Sequence, residues 1–280
     1  MMGILSRLPF IGRGDAPVVT VLPLRGVIGG GRGPFAQGLS LDRLAKLIEA
    51  AFKPKGLAAV ALVINSPGGS PVQSSLIARR IRDLADEKKV PVFAFVEDVA
   101  ASGGYWLACA ADEIWVDDSS IVGSIGVVSS GFGFQDLIAK LGVERRMHTA
   151  GSRKAILDPF QPERPEDVAK LEELQREIHA SFIAHIRARR GGRLTADDAT
   201  LFSGEFWTGA QGRVLGLADG IGHSRAVLRA KFGEKVQLRA VQQRSGLVRR
   251  LTRADSRIAA AMDSAVATVE DRLLWSRFGL

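Results

Sequence analysis

Val96-Glu97-Asp98-Val99-Ala100-Ala101-Ser102-Gly103-Gly104-Tyr105-Trp106 reads as an apolar strand, a turn of small residues around Ser102, and the entry to an alanine-rich helix. A strand that turns sharply into a helix lifts the side chain at the turn clear of the sheet. Small flanking residues then let a substrate carbonyl approach the backbone N–H groups at the helix start. Ser102 is therefore a candidate nucleophile. The pattern is not Gly-x-Ser-x-Gly, so an α/β-hydrolase is not implied.

Outward from this elbow, short β-rich runs alternate with helical segments from Val18 onward, as expected of an α/β protein with a parallel or mixed sheet covered by helices. The patterning predicts strands at 18–24, 58–64 and 91–97, and shorter extended pieces at 113–117, 124–129 and 143–148. Helices are expected from a Ser40 cap through Phe52, over Val72–Glu87 and over Phe134–Leu141. The best-marked helix covers 165–190. Pro165 stands in its first turn beside Glu166 and Asp167, while Val168, Leu171, Leu174, Ile178, Phe182 and Ile186 share a face, and arginines and Gly191 end it. A capped helix at 195–201, an extended piece near Phe206-Trp207, a helix-turn at 209–216 and a strand at 236–241 complete the body.

Three segments follow from this reading: an apolar and basic stretch at 1–17, a body at 18–241 and a tail at 242–280. In the tail Leu247, Leu251, Ile258, Met262, Val266, Val269 and Leu273 recur at helical spacing, so one amphipathic helix is expected, docked on protein of the same or another subunit, with a membrane surface as the alternative. The run Gly29-Gly30-Gly31-Arg32-Gly33 lacks the helix and acidic residue of a dinucleotide site and reads as a mobile loop.

Composition narrows the function classes. The chain has 280 residues, 46% hydrophobic and 24% charged, enough for one large core and an appendage. Its net charge of +8 comes from arginines spread through helices and both ends, without a zinc finger, helix-turn-helix or aromatic RNA-binding motif, so no nucleic-acid partner is expected. The single cysteine, Cys109, excludes an intrachain disulfide and a cysteine-based zinc site and reads as core packing. Arg7 and Pro9 interrupt the apolar N-terminus before a signal-peptide core forms. No later stretch reaches the roughly 18 apolar residues that cross a bilayer. The expected placement is cytoplasmic or peripheral to the inner membrane, with the first segment available for contact with an anionic surface.

A nucleophilic serine needs a base, an oxyanion site and a group that orients the base. The turn Ile64-Asn65-Ser66-Pro67-Gly68-Gly69-Ser70 follows a strand and precedes a helix, and its glycines permit close approach of N–H groups to a negative oxygen. Four histidines, His148, His179, His185 and His223, are present, none shortly after Ser102. His179 and His185 lie six apart on a helix and do not share a face, so neither a histidine triad nor a metal site is read. Lysine is the base that is left. Lys154 lies in the loop Thr149–Phe160 among small and apolar residues; burial disfavours the charged form of lysine, and a neutral amine accepts a serine proton, while residue chemistry alone favours a surface lysine at this position.

The pattern as a whole resembles the S49 peptidases, the signal peptide peptidase A and SohB group, which are related in fold to the Clp protease catalytic subunit and the crotonases. The resemblance runs from about Val18 to Phe232. It rests on five ordered motifs: Asn65-Ser66-Pro67-Gly68-Gly69, Ala101-Ser102-Gly103-Gly104-Tyr105, Val122-Gly123-Ser124-Ile125-Gly126-Val127, the Lys154 loop ending Asp158-Pro159-Phe160, and Trp207-Thr208-Gly209 with Gly216-Leu217-Ala218-Asp219.

The resemblance implies a repeated ββα superhelix, to which the tail periodicity adds a C-terminal amphipathic helical extension, and a serine endopeptidase using a Ser–Lys dyad without cofactor or metal. It assigns Ser102 as nucleophile, Lys154 as general base, the N–H groups of Gly69 and Gly103 as oxyanion donors with Gly68 as the fallback, and the Ser124 hydroxyl as the group orienting the lysine. Ser66, Gly68, Ser70, Ile125, Gly126 and Val127 are the implied substrate-binding positions, where a peptide would add as a strand. Signal-peptide remnants or other unfolded, membrane-derived peptides are the implied substrates, and a homo-oligomeric ring or dome the implied assembly. A crotonase-type acyl-CoA enzyme and a non-catalytic membrane-associated scaffold are the competing readings. The first would share the oxyanion architecture without needing the elbow serine or the lysine loop.

Overall fold

Three strands rich in β-branched and small apolar residues form the centre of the molecule: β1 (Val18–Arg25), β2 (Leu57–Ser66) and β3 (Val92–Ala101). They pair in parallel, and their near-continuous apolar runs follow from cover on both faces. The computed structural model describes residues 16–29, 38–241 and 272–280. Residues 30–33 of the expected loop and most of the expected tail helix lie outside the described residues.

Helix α1 (Leu41–Ala51) buries Leu44, Ile48 and Ala51, and α2 (Pro71–Lys88) buries Ile77, Ala78, Ile81, Leu84 and Ala85, each at helical spacing on one sheet face. Ser40 stands at the N-cap of α1 as expected, but its side chain caps nothing. The Leu41 N–H instead donates to Oε1 of Gln73 on α2 at 2.8 Å, tying the two helices together. Helix α2 ends on Lys89 in the left-handed conformation.

The sheet forks at β3. Its first half, Phe93–Phe95, pairs with β4 (Glu113–Val116), and its last residues, Val99–Ala101, pair with β5 (Ile121–Gly123). Between the branches the Ser120 hydroxyl donates to the Glu97 carbonyl at 2.6 Å and satisfies backbone that has no ladder partner. Strand β6 (Phe206–Thr208) runs antiparallel to β5, β7 (Gly220–Ile221) extends β4, and β8 (Gln237–Ala240) closes the other edge beside β1. The fork carries the end of β5 to the end of β3, where Ser102 follows.

Between β3 and β4 lies the buried α3 (Gly103–Ala108). An arm over 124–164 carries α4 (Gln135–Lys140), and then come α5 (Pro165–Arg190), α6 (Asp198–Leu201), α7 (Gly209–Val214) and α8 (Ser224–Phe232). The main core lies under α1, α2, α3 and the C-terminal half of α5. A second apolar cluster on the opposite sheet face joins Val19, Ala59, Ala61, Phe93 and Phe95 to Val227 and Leu228 of α8.

Some local expectations differ from the structure. Residues 124–129 are irregular rather than extended, because Ser124 takes a φ of 51° and leaves the ladder. Residues 143–148 form no strand: they lie on the exposed arm, with no sheet edge beside them. Helix α5 is present over the expected span, yet its buried apolar side chains, Phe182 and Ile186, lie in its C-terminal half; Leu174 and Ile178 stay 41% and 38% exposed. The short helix expected at 195–201 is limited to α6, capped by the Asp197 carboxylate accepting from the Thr200 N–H.

Candidate active site

Ser102 sits between β3 and α3 with φ 51° and ψ −121°, a conformation that non-glycine residues adopt only under constraint. Its N–H donates to the Gly123 carbonyl at 2.8 Å, and its own carbonyl accepts from the Trp106 N–H at 3.0 Å. The helix that follows is wholly buried, so the elbow rests on core. Ser102 itself is half-buried, and its hydroxyl has no hydrogen-bond partner among the described residues.

The turn after β2 packs directly on this elbow. A β-carbon on Gly68 would lie 2.8 Å from the Ser102 β-carbon, and one on Gly104 would lie 2.4 Å from the Ser66 carbonyl oxygen, so only glycine permits the contact. The turn is fixed on its far side too. The Ile28 N–H donates to the Gly68 carbonyl and the Ser70 N–H to the Ile28 carbonyl, both at 2.8 Å. Ser70 caps α2 by accepting from the Gln73 N–H. What remains unspent is informative: the N–H groups of Gly69 and Gly103 have no partner among the described residues. Two free donors beside a serine hydroxyl are what a developing oxyanion requires.

Ser124 is brought to the same place by the pairing of β5 with β3. It is buried, its φ is also 51°, and its N–H donates to the Glu205 carbonyl at 2.7 Å while its hydroxyl has no partner among the described residues. The next residue, Ile125, is fully buried, and Nε2 of His179 on α5 lies 3.0 Å from its carbonyl oxygen. Val127 continues the segment and, with Glu172, Gln175, Arg176 and His179, lines a cavity of about 200 Å³. The anchoring by His179 was missed in the sequence, because a contact across 54 positions leaves no local signal.

Lys154 lies elsewhere. It occupies an exposed run of turns on the arm, with its N–H donating to the Gly151 carbonyl at 3.1 Å, and its amine forms no hydrogen bond or ion pair with a described residue. The Asp158-Pro159-Phe160 motif that ends this loop is an internal staple of the arm. The Asp158 carboxylate accepts from the Phe160 N–H and pairs with Arg145, and these contacts, the backbone one foremost, hold its pKa below the usual carboxylate range. The Phe134 ring lies against Phe160 at 5.6 Å.

The remaining motifs brace the elbow. Trp207 is buried against Gly123, whose added β-carbon would meet the indole at 2.7 Å. The Tyr105 hydroxyl donates to the Leu217 carbonyl at 2.8 Å. Beside it the buried Arg190 guanidinium donates to the Gly216 carbonyl and to Asp219, whose carboxylate also accepts from the Ile114 N–H. Cys109, in the same region, is fully buried, and burial pushes its thiol up to about 12. His185 stacks on Trp106, and burial holds its pKa down at about 4, leaving a neutral ring turned to the Trp106 carbonyl. Neither residue is poised for chemistry.

Known proteins share this architecture. Among solved structures, a point mutant of the 1510-N membrane-bound stomatin-specific protease superposes with a TM-score of 0.51 across 82% of this chain and 99% of its own, at 16% identity, a likeness of fold. By sequence the chain is 50% identical, over 289 aligned positions, to proteins of Brucella abortus and Brucella melitensis named Na(+)/H(+) antiporter NhaA; the match takes in 99% of this chain and 39% of their length. A protein of Synechocystis sp. named as a protease, slr0021, is 31% identical over 78% of this chain and 79% of its own. A family model for peptidase family S49 matches residues 84–238. With its serine elbow, its glycine turn and these relatives, the chain belongs to peptidase family S49.

Proposed function

We propose that this chain is a serine endopeptidase that hydrolyses peptide bonds with Ser102 as nucleophile and Lys154 as general base. The observation that carries the reading is the Ser102 elbow, a strained serine set beside the two unspent N–H groups of Gly69 and Gly103. The lysine, as free amine, takes the serine proton as the hydroxyl oxygen attacks the substrate carbonyl. The glycine N–H groups hold the oxyanion, the protonated amine gives its proton to the leaving nitrogen, and water then clears the acyl-enzyme by the same route. The free Ser124 hydroxyl aims the amine at Ser102. Substrate backbone adds as a strand between the turn at Ser66–Ser70 and the segment Ser124–Val127, and peptides left from signal sequences or other unfolded membrane-derived chains are the class it takes.

The exposed position of Lys154 fits an assembled enzyme. The arm leaves Val128, Phe132, Leu137, Leu141 and Val143 each more than half exposed, a run of apolar side chains that a homo-oligomer would cover. In that assembly the lysine would meet a serine and the dyad would close. Placement peripheral to a membrane is supported by the apolar and basic residues 1–17 and by the Brucella relatives, in which a segment half identical to this chain belongs to sequences named as antiporters. Among the described residues no helix is long and apolar enough to cross a membrane.

Labelling by a fluorophosphonate and hydrolysis of a peptide amide test the assignment. Both are expected in the native chain. Ser102→Ala should abolish both, and Lys154→Ala should lower hydrolysis by about 10⁴-fold. Full hydrolysis by either variant would sink the dyad.

A further inference from the structure

The sheet face behind the elbow is covered differently from the rest. Along β3 the residues that turn away from the main core are Phe93 and Phe95 in the first half, packed with α8, and Val99 and Ala101 in the second half. In the apolar cluster around Val99 and Ala101, the third buried member is Phe278, two residues before Leu280, with Ile121 and Trp275 alongside. Phe278 is 8% exposed, and its ring stands edge-on to Phe206 at 5.2 Å and 77°.

The segment that delivers it is built to do so. Residues 272–276 are helical, and the turn closes with the Phe278 N–H on the Trp275 carbonyl at 2.9 Å and the Gly279 N–H on the Ser276 carbonyl at 3.1 Å. Gly279 takes a φ of 74°, which ends the turn and leaves Phe278 directed at the sheet.

What this ring touches gives it meaning. Ala101 immediately precedes Ser102. Phe206 pairs with Gly123, the residue that precedes Ser124 and whose carbonyl holds the Ser102 N–H. Both serines sit at φ 51°, and such conformations persist only where surrounding packing over-determines them. The front of the elbow is fixed by the turn at Ser66–Ser70; the back of both strands meets on Phe278. We propose that Phe278 is a positioning residue, a C-terminal wedge that holds the end of β3 against the β5–β6 pair and so sets Ser102 against Ser124. This rests on the serine-peptidase reading for its effect on rate, and on packing alone for its effect on the backbone.

The test uses the full chain carrying Phe278→Ala or Phe278→Leu. Hydrogen exchange is followed by peptide mass analysis, together with kcat and KM on a peptide amide. Phe278→Ala should speed exchange over 99–104 and 121–125 while 60–64 and 92–95 keep their protection, and should lower kcat about tenfold with KM within about twofold. Phe278→Leu, which keeps an apolar side chain in the hollow, should restore most of both. Unchanged exchange over 99–104 and 121–125 in Phe278→Ala would overturn the wedge, as would faster exchange spread evenly over the sheet. If Phe278→Ala does not fold, the same two segments are read in Phe278→Leu, where protection equal to that of the native chain supports the wedge and even loss across the sheet overturns it. Should the native chain itself hydrolyse nothing, the peptidase reading fails while the exchange pattern still decides the wedge.

Discussion

The two halves of the proposed dyad are held in opposite ways. Ser102 ends a central strand, is followed by a wholly buried helix, and is gripped by a turn whose glycines admit contacts closer than any side chain would allow. Lys154 stands on an arm with exposed apolar side chains and internal staples, and its amine has no partner among the described residues. The difference teaches that preorganisation is concentrated on the proposed nucleophile and oxyanion donors, where sub-ångström placement matters most. The proposed base would be seated by what the arm packs against.

If that contrast is right, damage near the elbow should register in folding, and damage on the arm should not. The largest expected effect is one of pH. The pKa of His185 falls from 6.5 to about 4 through burial behind the elbow, so the unfolded chain takes up a proton in this window that the folded ring refuses. The His185 contribution to stability is therefore complete above pH 6.5 and declines as pH falls towards 4, by up to about 3 kcal/mol. Urea midpoints at pH 7 and pH 4.5 measure it, and His185→Gln should flatten that part of the profile. Next comes Gly104→Ala, which drives a β-carbon to 2.4 Å from the Ser66 carbonyl oxygen and should cost about 1–3 kcal/mol in the same unfolding assay. Smallest is Leu141→Ser on the arm, where the side chain is 68% exposed: unfolding should shift by no more than about 0.5 kcal/mol. Sedimentation velocity should nonetheless show smaller assemblies. An arm variant as costly to folding as Gly104→Ala would erase the comparison.

The same contrast separates what was legible in the sequence from what was not. β1, β2 and β3 could be read because strands covered on both faces are continuous apolar runs, and α2 because its apolar spacing and its Ser70-Pro71 start agree. The elbow could be read because small residues around a serine record a steric demand. Helix α8 was missed: it is nine residues long, and only Val227 and Leu228 of it are buried, too few to show a period. β7 has two residues and exists only because β4 lies beside it. On the arm, 143–148 read as an extended piece, but a strand needs a neighbour and none is there. Lys154 was singled out by its residue type and its motif, which carry no information on what its amine touches. Phe278 left no trace either, since its contacts with Val99 and Ala101 join the chain's end to its middle.

Cys109 has a practical consequence. It is the only cysteine of the chain, fully buried, with its thiol raised to about 12, so almost none is thiolate at neutral pH, and alkylating reagents act on thiolates. The native chain is thus silent to thiol-directed probes. A cysteine engineered into the arm or the last turn would carry a spin label or fluorophore without background, and the distance between two such sites would follow the arm as copies of the chain come together.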